Sequence, residues 1–271
     1  MKLFFIILFF ANVFGISATP RVISLSPCLT ELIFHLGEGG ALVGRTTACD
    51  YPAEAGRIEV VGGFGKPSLE KIVSLKPDVV VASALANTAM GAAIKQIGIE
   101  FHMLPSNSIE DYYKTVRLLG GILHCEKRAA AEIARVKKGL KRFVELNAKL
   151  TSGRPRVYLE VWDRPYMTVG RKSFINDLIT YAGGANIAGD LNQAYFNCSV
   201  EWIIKSDPDV IICPAMKTGR EADVERRNGW RKMTAVRNHR VYVDLNDDLI
   251  YRLGPRILEG IELLRSKILK K

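Results

Sequence analysis

The feature that most constrains this chain is an internal repeat. Ser68-Leu69-Glu70-Lys71-Ile72, leading to Pro77-Asp78-Val79-Val80-Val81, returns 131 residues later as Ser199-Val200-Glu201-Trp202-Ile203, leading to Pro208-Asp209-Val210-Ile211-Ile212. Each copy encodes the same physical object: a Ser able to cap a helix N-terminus, a Glu in the first turn where the helix dipole favours an acid, and a short helix. Pro-Asp then turns the chain into a buried strand. One such unit in each half of the chain points to two similarly built lobes rather than one large sheet.

The rest of the pattern agrees. Short β-branched runs at residues 21–25, 41–44, 78–82 and 99–103, and again at 156–161, 209–213 and 240–244, alternate with helical segments. That alternation predicts an α/β fold: two lobes, each with a central, mainly parallel sheet covered by helices. Between the halves, Ala130, Ile133, Ala134, Val136, Leu140, Phe143, Val144 and Leu146 recur near the helical period among many charged residues, with Gly139 as the one weak helix former. A single helix over 126–150 would run for more than about 30 Å at 1.5 Å per residue, a rigid strut rather than a flexible linker. The segment 151–155, Thr-Ser-Gly-Arg-Pro, stops it. The organisation expected is therefore a lobe at 19–125, the helix at 126–150 and a second lobe at 151–271.

Residues 1–18 read as a secretory signal peptide: Lys2, an apolar run from Leu3 to Gly15 interrupted only by Asn12, then Ser17 and Ala18. The run falls short of the roughly 20 residues that span a bilayer. No Cys follows it to take a lipid, so a soluble protein cleaved near Ala18 and secreted to the bacterial periplasm is expected. The net charge of +10 is scattered along amphipathic helices rather than gathered with aromatics, which argues against a nucleic-acid partner. The five cysteines show no metal-ligand spacing, and His35, His102, His124 and His239 form no cluster, so no metal site is expected. Cys28 and Cys49, each after a predicted strand, are the candidate disulfide, with five small buried thiols as the open alternative. Gly-x-Ser-x-Gly, phosphate-loop and His-Glu-x-x-His motifs are absent, and an enzyme is not expected.

In this order and spacing, several segments resemble the helix-linked (class III) periplasmic binding proteins of ABC importers, most of all the vitamin B12 (cobalamin) binding branch. They are the segments 21–27 with Thr30-Glu31, Cys49-Asp50-Tyr51-Pro52, Ser68-Leu69-Glu70 with Pro77-Asp78, Ala182-Gly183-Gly184 with Asn186, Trp230 with Ala235-Val236, Arg240-Val241-Tyr242 and Gly254-Pro255-Arg256. The resemblance implies a monomer that holds a corrinoid ligand, cobalamin, in an interlobe cleft and delivers it to the importer's membrane subunits, with no cofactor of its own. The same resemblance leaves haem or a ferric siderophore as the alternative cargo. It carries ligand contacts onto Tyr51, Phe64, Asp248 and Arg252, and, with looser alignment, onto Trp162, Tyr166 and Tyr195. Glu70 and Glu201, the paired acids of the repeat, take the place of exposed glutamates that dock onto the transporter. One position departs: the cobalamin branch often has an aromatic where this chain has Ser83.

Overall fold

The computed structural model describes residues 19–83, 88–214 and 221–270, so the expected signal peptide lies outside the described residues. The N-terminal lobe runs β1 (Val22–Ser24), α1 (Pro27–His35), β2 (Leu42–Thr46), β3 (Val60–Gly63), β4 (Lys66–Pro67), α2 (Leu69–Ser74), β5 (Val79–Ser83), α3 (Thr88–Gln96), β6 (Glu100–Leu104) and α4 (Ile109–Ile122). After α5 (Glu126–Asn147) come β7 (Arg156–Asp163), β8 (Tyr166–Val169), α6 (Phe174–Tyr181), β9 (Ala185–Asn186), β10 (Tyr195–Asn197) and α7 (Val200–Ser206). The chain finishes with β11 (Val210–Ile212), α8 (Glu221–Glu225), α9 (Thr234–Arg237), β12 (Val241–Tyr242), α10 (Asp248–Tyr251) and α11 (Ile257–Ile268).

The first sheet has the order β4-β3-β2-β1-β5-β6 and is parallel except for the β3–β4 hairpin. The second has the order β10-β8-β7-β11-β12, with β9 also on β7; its β9, β7, β11 and β12 pairings are parallel, while β8 and β10 are antiparallel additions. These are the two α/β lobes that the repeat calls for.

The repeat itself acquires a structural meaning. Ser68 Oγ accepts from the Lys71 amide at 3.3 Å and Ser199 Oγ from the Trp202 amide at 3.2 Å, so both serines cap their helices, a contribution of about 1 kcal/mol each. At matching positions past the helices, Lys76 and Asp207 adopt left-handed φ of 45° and 39°. The Asp of each Pro-Asp pair then reaches sideways: Asp78 Oδ2 accepts from the Arg21 amide and Asp209 Oδ2 from the Arg156 amide, each at 2.7 Å. Each repeat thus caps one helix and ties the start of the neighbouring central strand, β1 or β7.

Helix α5 has 22 residues, about 33 Å at 1.5 Å per residue. It ends at Asn147, earlier than the spacing predicts, and there the Asn147 side-chain Nδ2 donates to the Thr180 and Tyr181 carbonyls, tying the helix end to α6. Gly139 has a packing reason: a Cβ there would collide with Leu258 of α11. On the buried face, Ala129, Ile133, Val136, Leu140 and Phe143 belong to one hydrophobic cluster that continues into both lobes, from Val22 and Leu29 to Leu178 and Ile261. Each sheet turns its other face to a smaller cluster of its own, Ile23 to Phe101 in the first lobe and Tyr158 to Val243 in the second. The lobes therefore share a core through α5 as well as a covalent link.

The disulfide expected between Cys28 and Cys49 is corrected: both are free thiols, as are Cys125, Cys198 and Cys213. Cys49 Sγ instead lies 3.2 Å from Thr46 Oγ1. Burial, with the nearby Glu31, pushes the Cys28 thiol up to about 12, so it stays protonated.

Candidate ligand cleft

In open α/β sheets, the loops beyond the carboxyl ends of the strands line the binding crevice. Here the loops after β2 and β12 meet across the lobes. Arg252, following α10, donates to Asp50 Oδ1 at 2.9 Å and to Glu31 Oε1 of α1 at 2.8 Å, and its other terminal nitrogen lies 2.7 Å from Asp248 Oδ1. Arg256 holds Glu31 bidentately at 2.8 and 2.9 Å and stacks its guanidinium 3.9 Å from the centre of the Tyr51 ring. Burial works against the charge of Arg252, yet the bonds it donates to Glu31 and Asp50 outweigh this and raise its pKa. The Glu31 side chain is only 1% exposed, so without these arginines it would be a costly buried charge.

A second network runs behind this one. Glu132 of α5 accepts from Tyr112 of α4 at 2.6 Å, pairs with His35 of α1 at 2.7 Å, and is held by Arg135, which also donates to the Pro255 carbonyl of the second lobe. Burial pulls the Glu132 carboxyl upward, but hydrogen bonds from His35, Arg135 and Tyr112 overcome it and hold the pKa at about 2. Beside Tyr51, a cavity of about 480 Å³ opens between Phe34, His35, Arg135, Pro255 and Arg256.

Among the described residues, the exposed aromatics are Tyr51 (45%), Phe64 (42%) and Trp162 (57%). Tyr51 follows β2 and precedes a cis peptide bond to Pro52. Phe64 sits in the turn between β3 and β4, where Gly62 (φ 138°) has no room for a Cβ against the Lys66 carbonyl and Gly65 (φ 74°) completes the turn. Trp162 stands near the end of β7, its indole N–H donating to the Arg164 carbonyl at 3.0 Å.

The other candidates are placed differently. Tyr166, in β8, is half-buried against Trp230 at 5.7 Å, with the Arg227 guanidinium 5.0 Å from its ring. Tyr195, in β10, packs against the shared core, and burial raises its phenol although the Ser173 hydroxyl partly offsets this. Its neighbour Phe196 packs edge-on against Trp202 at 5.9 Å. Ser83 is buried at the end of β5, its amide donating at 2.8 Å to Oγ of Ser26, the residue that precedes α1, so a hydrogen-bonded serine pair stands where the cobalamin branch often has an aromatic. Asp248 and Arg252 are brought together with Tyr51 through Glu31, which Arg252 and Arg256 share, and through Arg256, which stacks on the Tyr51 ring.

Glu70 and Glu201 are exposed in the first turns of α2 and α7. Each helix runs into the start of a parallel strand, so its N-terminus faces the carboxyl-end side of the sheet, the side of the cleft. Glu201's own backbone amide, with the Ser199 hydroxyl, holds its carboxyl below the usual range.

Sequence reasoning did not single out Glu31, Asp50 and Arg256 as site residues, although all three lie in the motif segments. Nor did it find the second lobe's buried pair, Glu160 with Arg227 at 2.5 and 2.9 Å. Glu31 and its arginines stand 221 and 225 residues apart, and no local pattern announces such a partnership. Among the described residues no group of three or more His, Cys, Asp or Glu could hold a metal ion, and no helix is long and apolar enough to cross a membrane.

Comparison with known proteins agrees with this architecture. The family model described as periplasmic binding protein matches residues 22–247. The chain is 34% identical over 254 residues to the uncharacterized ABC transporter substrate-binding lipoprotein YvrC of Bacillus subtilis, covering 92% of this chain and 79% of that one. It is 30% identical over 270 residues to the vitamin B12-binding protein of Vibrio parahaemolyticus, covering 96% and 92%. The solved periplasmic haem-binding protein RhuT from Roseiflexus has the same fold, with a TM-score of 0.82 at 24% identity over 92% of this chain and 98% of that one. With two α/β lobes, a connecting helix and a family match across nearly all the described chain, this protein belongs to the periplasmic binding protein family, the substrate-binding components of ABC importers.

Proposed function

We propose that this protein captures cobalamin, or a closely related corrinoid, in the cleft between its lobes and hands it to the membrane subunits of an ABC importer. One observation carries the reading: Tyr51 and Phe64 on loops and Trp162 at the end of β7, the exposed aromatics among the described residues, stand at the carboxyl-end side of both sheets. Exposed rings on both sides of a crevice suit a large, flat, partly apolar ligand, with a few polar groups to orient it. Asp248 and Arg252, paired at 2.7 Å, supply such groups. The similarity to a vitamin B12-binding protein over 96% of this chain supports the same cargo. Glu70 and Glu201, one exposed acid per lobe, are the proposed contacts to basic groups on a two-subunit importer, where opposite charges fix register and speed encounter. Haem is the second reading, favoured by the exposed Tyr51, a side chain able to ligate haem iron.

Titration of the purified protein with cobalamin and with haem, followed by calorimetry and visible absorbance, tests the proposal. One-to-one cobalamin binding is expected, and Trp162→Ala should weaken it by about ten-fold or more. Tight haem binding with no cobalamin signal would overturn the corrinoid assignment.

A further inference from the structure

A further cavity lies far from the cleft. The chain enters β7 at Arg156 and β12 at Val241, and both strands run parallel to β11, so the residues just before them stand at the amino-end side of the second sheet, the reverse of the cleft side. There the end of α5, the end of α11 and the approach to β12 border a cavity of about 310 Å³. Three cations line it: Lys149 after α5, Lys270 after α11 and Arg240 before β12. Among the described residues no carboxylate lines the cavity, and none pairs with any of the three.

Such a gathering of like charges is unfavourable until something answers it. Arg240 makes the need specific. Of its five N–H groups, among the described residues, one of Nη2 is bonded, to the Ile268 carbonyl, while Nε is buried with no hydrogen-bond partner. A charged donor shut off from water and left unbonded is costly. The C-terminal ends of α5 and α11 bring about half a negative charge each, which three full cations exceed. Thr151 and Ser152, exposed on the rim, add hydroxyl donors.

A phosphate group answers these donors better than a carboxylate. It carries about −1.5 to −2 at pH 7 on three strong acceptor oxygens, enough for a guanidinium fork, two ammonium groups and a hydroxyl together. The cavity is larger than that group alone requires, and half-buried Leu150 and Leu269 give it an apolar wall.

We propose that this cavity binds a phosphate monoester, its phosphate held by Lys149, Arg240 and Lys270 and its apolar body set against Leu150 and Leu269. The site is independent of what the cleft holds. The acids Glu70 and Glu201 stand at the cleft side, so this cavity faces away from the proposed importer contact, and a soluble ester rather than a lipid headgroup is the expected source.

The experiment titrates the full protein with phenyl phosphate at constant ionic strength against chloride, read by thermal unfolding and by phosphorus NMR. Saturable binding and a rise in Tm are expected. Lys149→Ala with Lys270→Ala should weaken binding at least about ten-fold, whereas Lys138→Ala with Lys141→Ala, which removes the same charge from the exposed face of α5, should change it by less than about two-fold. All four lysines are exposed, so both variants should fold. A second arm sediments the protein with phosphatidylcholine vesicles, with and without phosphatidic acid. Capture by phosphatidic acid that depends on Lys149 and Lys270, without phenyl phosphate binding, keeps the phosphate site and makes a lipid headgroup its source. No binding in either arm, or equal losses in the two variants, overturns the proposal.

Discussion

Each lobe buries a glutamate near the cleft, and the two neutralise it in opposite ways. In the first lobe, Glu31 takes its cations from across the seam, Arg252 and Arg256. In the second, Glu160, 2% exposed, takes Arg227 from its own lobe, and that arginine stacks on Trp230 at 4.6 Å and Tyr166 at 5.0 Å. Burial opposes the charge of Arg227, and the Glu160 carboxylate more than offsets it. A buried carboxylate whose partners lie elsewhere becomes a fastener between bodies; one whose partner is local stiffens its own wall. The same repeat in both lobes leads to different ends of the cleft, one built to be joined and one built to be self-sufficient.

That contrast can be broken or sharpened by experiment. The largest effect should come from Arg227→Met, which leaves Glu160 buried and unpaired and should cost about 3–5 kcal/mol in urea unfolding; adding Glu160→Met should recover much of it. Glu31→Ala should cost less, about 2 kcal/mol, because Arg252 keeps Asp50 and Asp248. Only the Glu31 variant should also enlarge the molecule in small-angle scattering; expansion in both variants, or in neither, would erase the distinction. Wild-type protein, with its shared core and stiff helix, should compact little on adding ligand.

On the helix between the lobes, Glu132 offers a pH test. Its folded pKa of about 2 lies below its ordinary 4.5, so its contribution is fully present above the ordinary value and is lost as pH falls from about 4.5 to about 2. The slope in that window is at most about 1.4 kcal/mol per pH unit for one proton, and Glu132→Gln should flatten it in acid titrations of thermal stability. The smallest effect on the isolated protein belongs to Glu70→Ala with Glu201→Ala. Ligand affinity should stay within about two-fold and stability within about 0.5 kcal/mol, while transport by the assembled importer falls.

The sequence made the frame legible because the frame is periodic. The repeat, the α5 spacing and the β-branched runs each rest on neighbours a few residues apart, which is why β1, β5, β7 and β11 fall where expected. No sustained β-branched run marks the strands β4 and β9, of two residues each, or β3, which gives two of its four residues to glycine. Exposure followed context: Phe64 among glycines is exposed, as is Trp162 near a strand end. Tyr195 could not be oriented from sequence because a one-residue choice in a three-residue strand decides which face it meets. Glu31 with Arg256 and Glu160 with Arg227 are facts of tertiary structure alone.

The sideways bond from Asp78 to the Arg21 amide, and its twin from Asp209 to Arg156, bears on how a partner would meet this molecule. A helix of six or seven residues is thus bounded by a serine cap at its front and, just past its other end, by a tie between two central strands. Glu70 and Glu201 therefore stand on plinths whose backbone order was settled during folding, and the distance between the two acids is a property of the sheets and not of wandering loops. Recognition by a partner that reads both acids would be closer to gauging a fixed span than to catching two loose charges, and little backbone entropy would remain to be lost at contact.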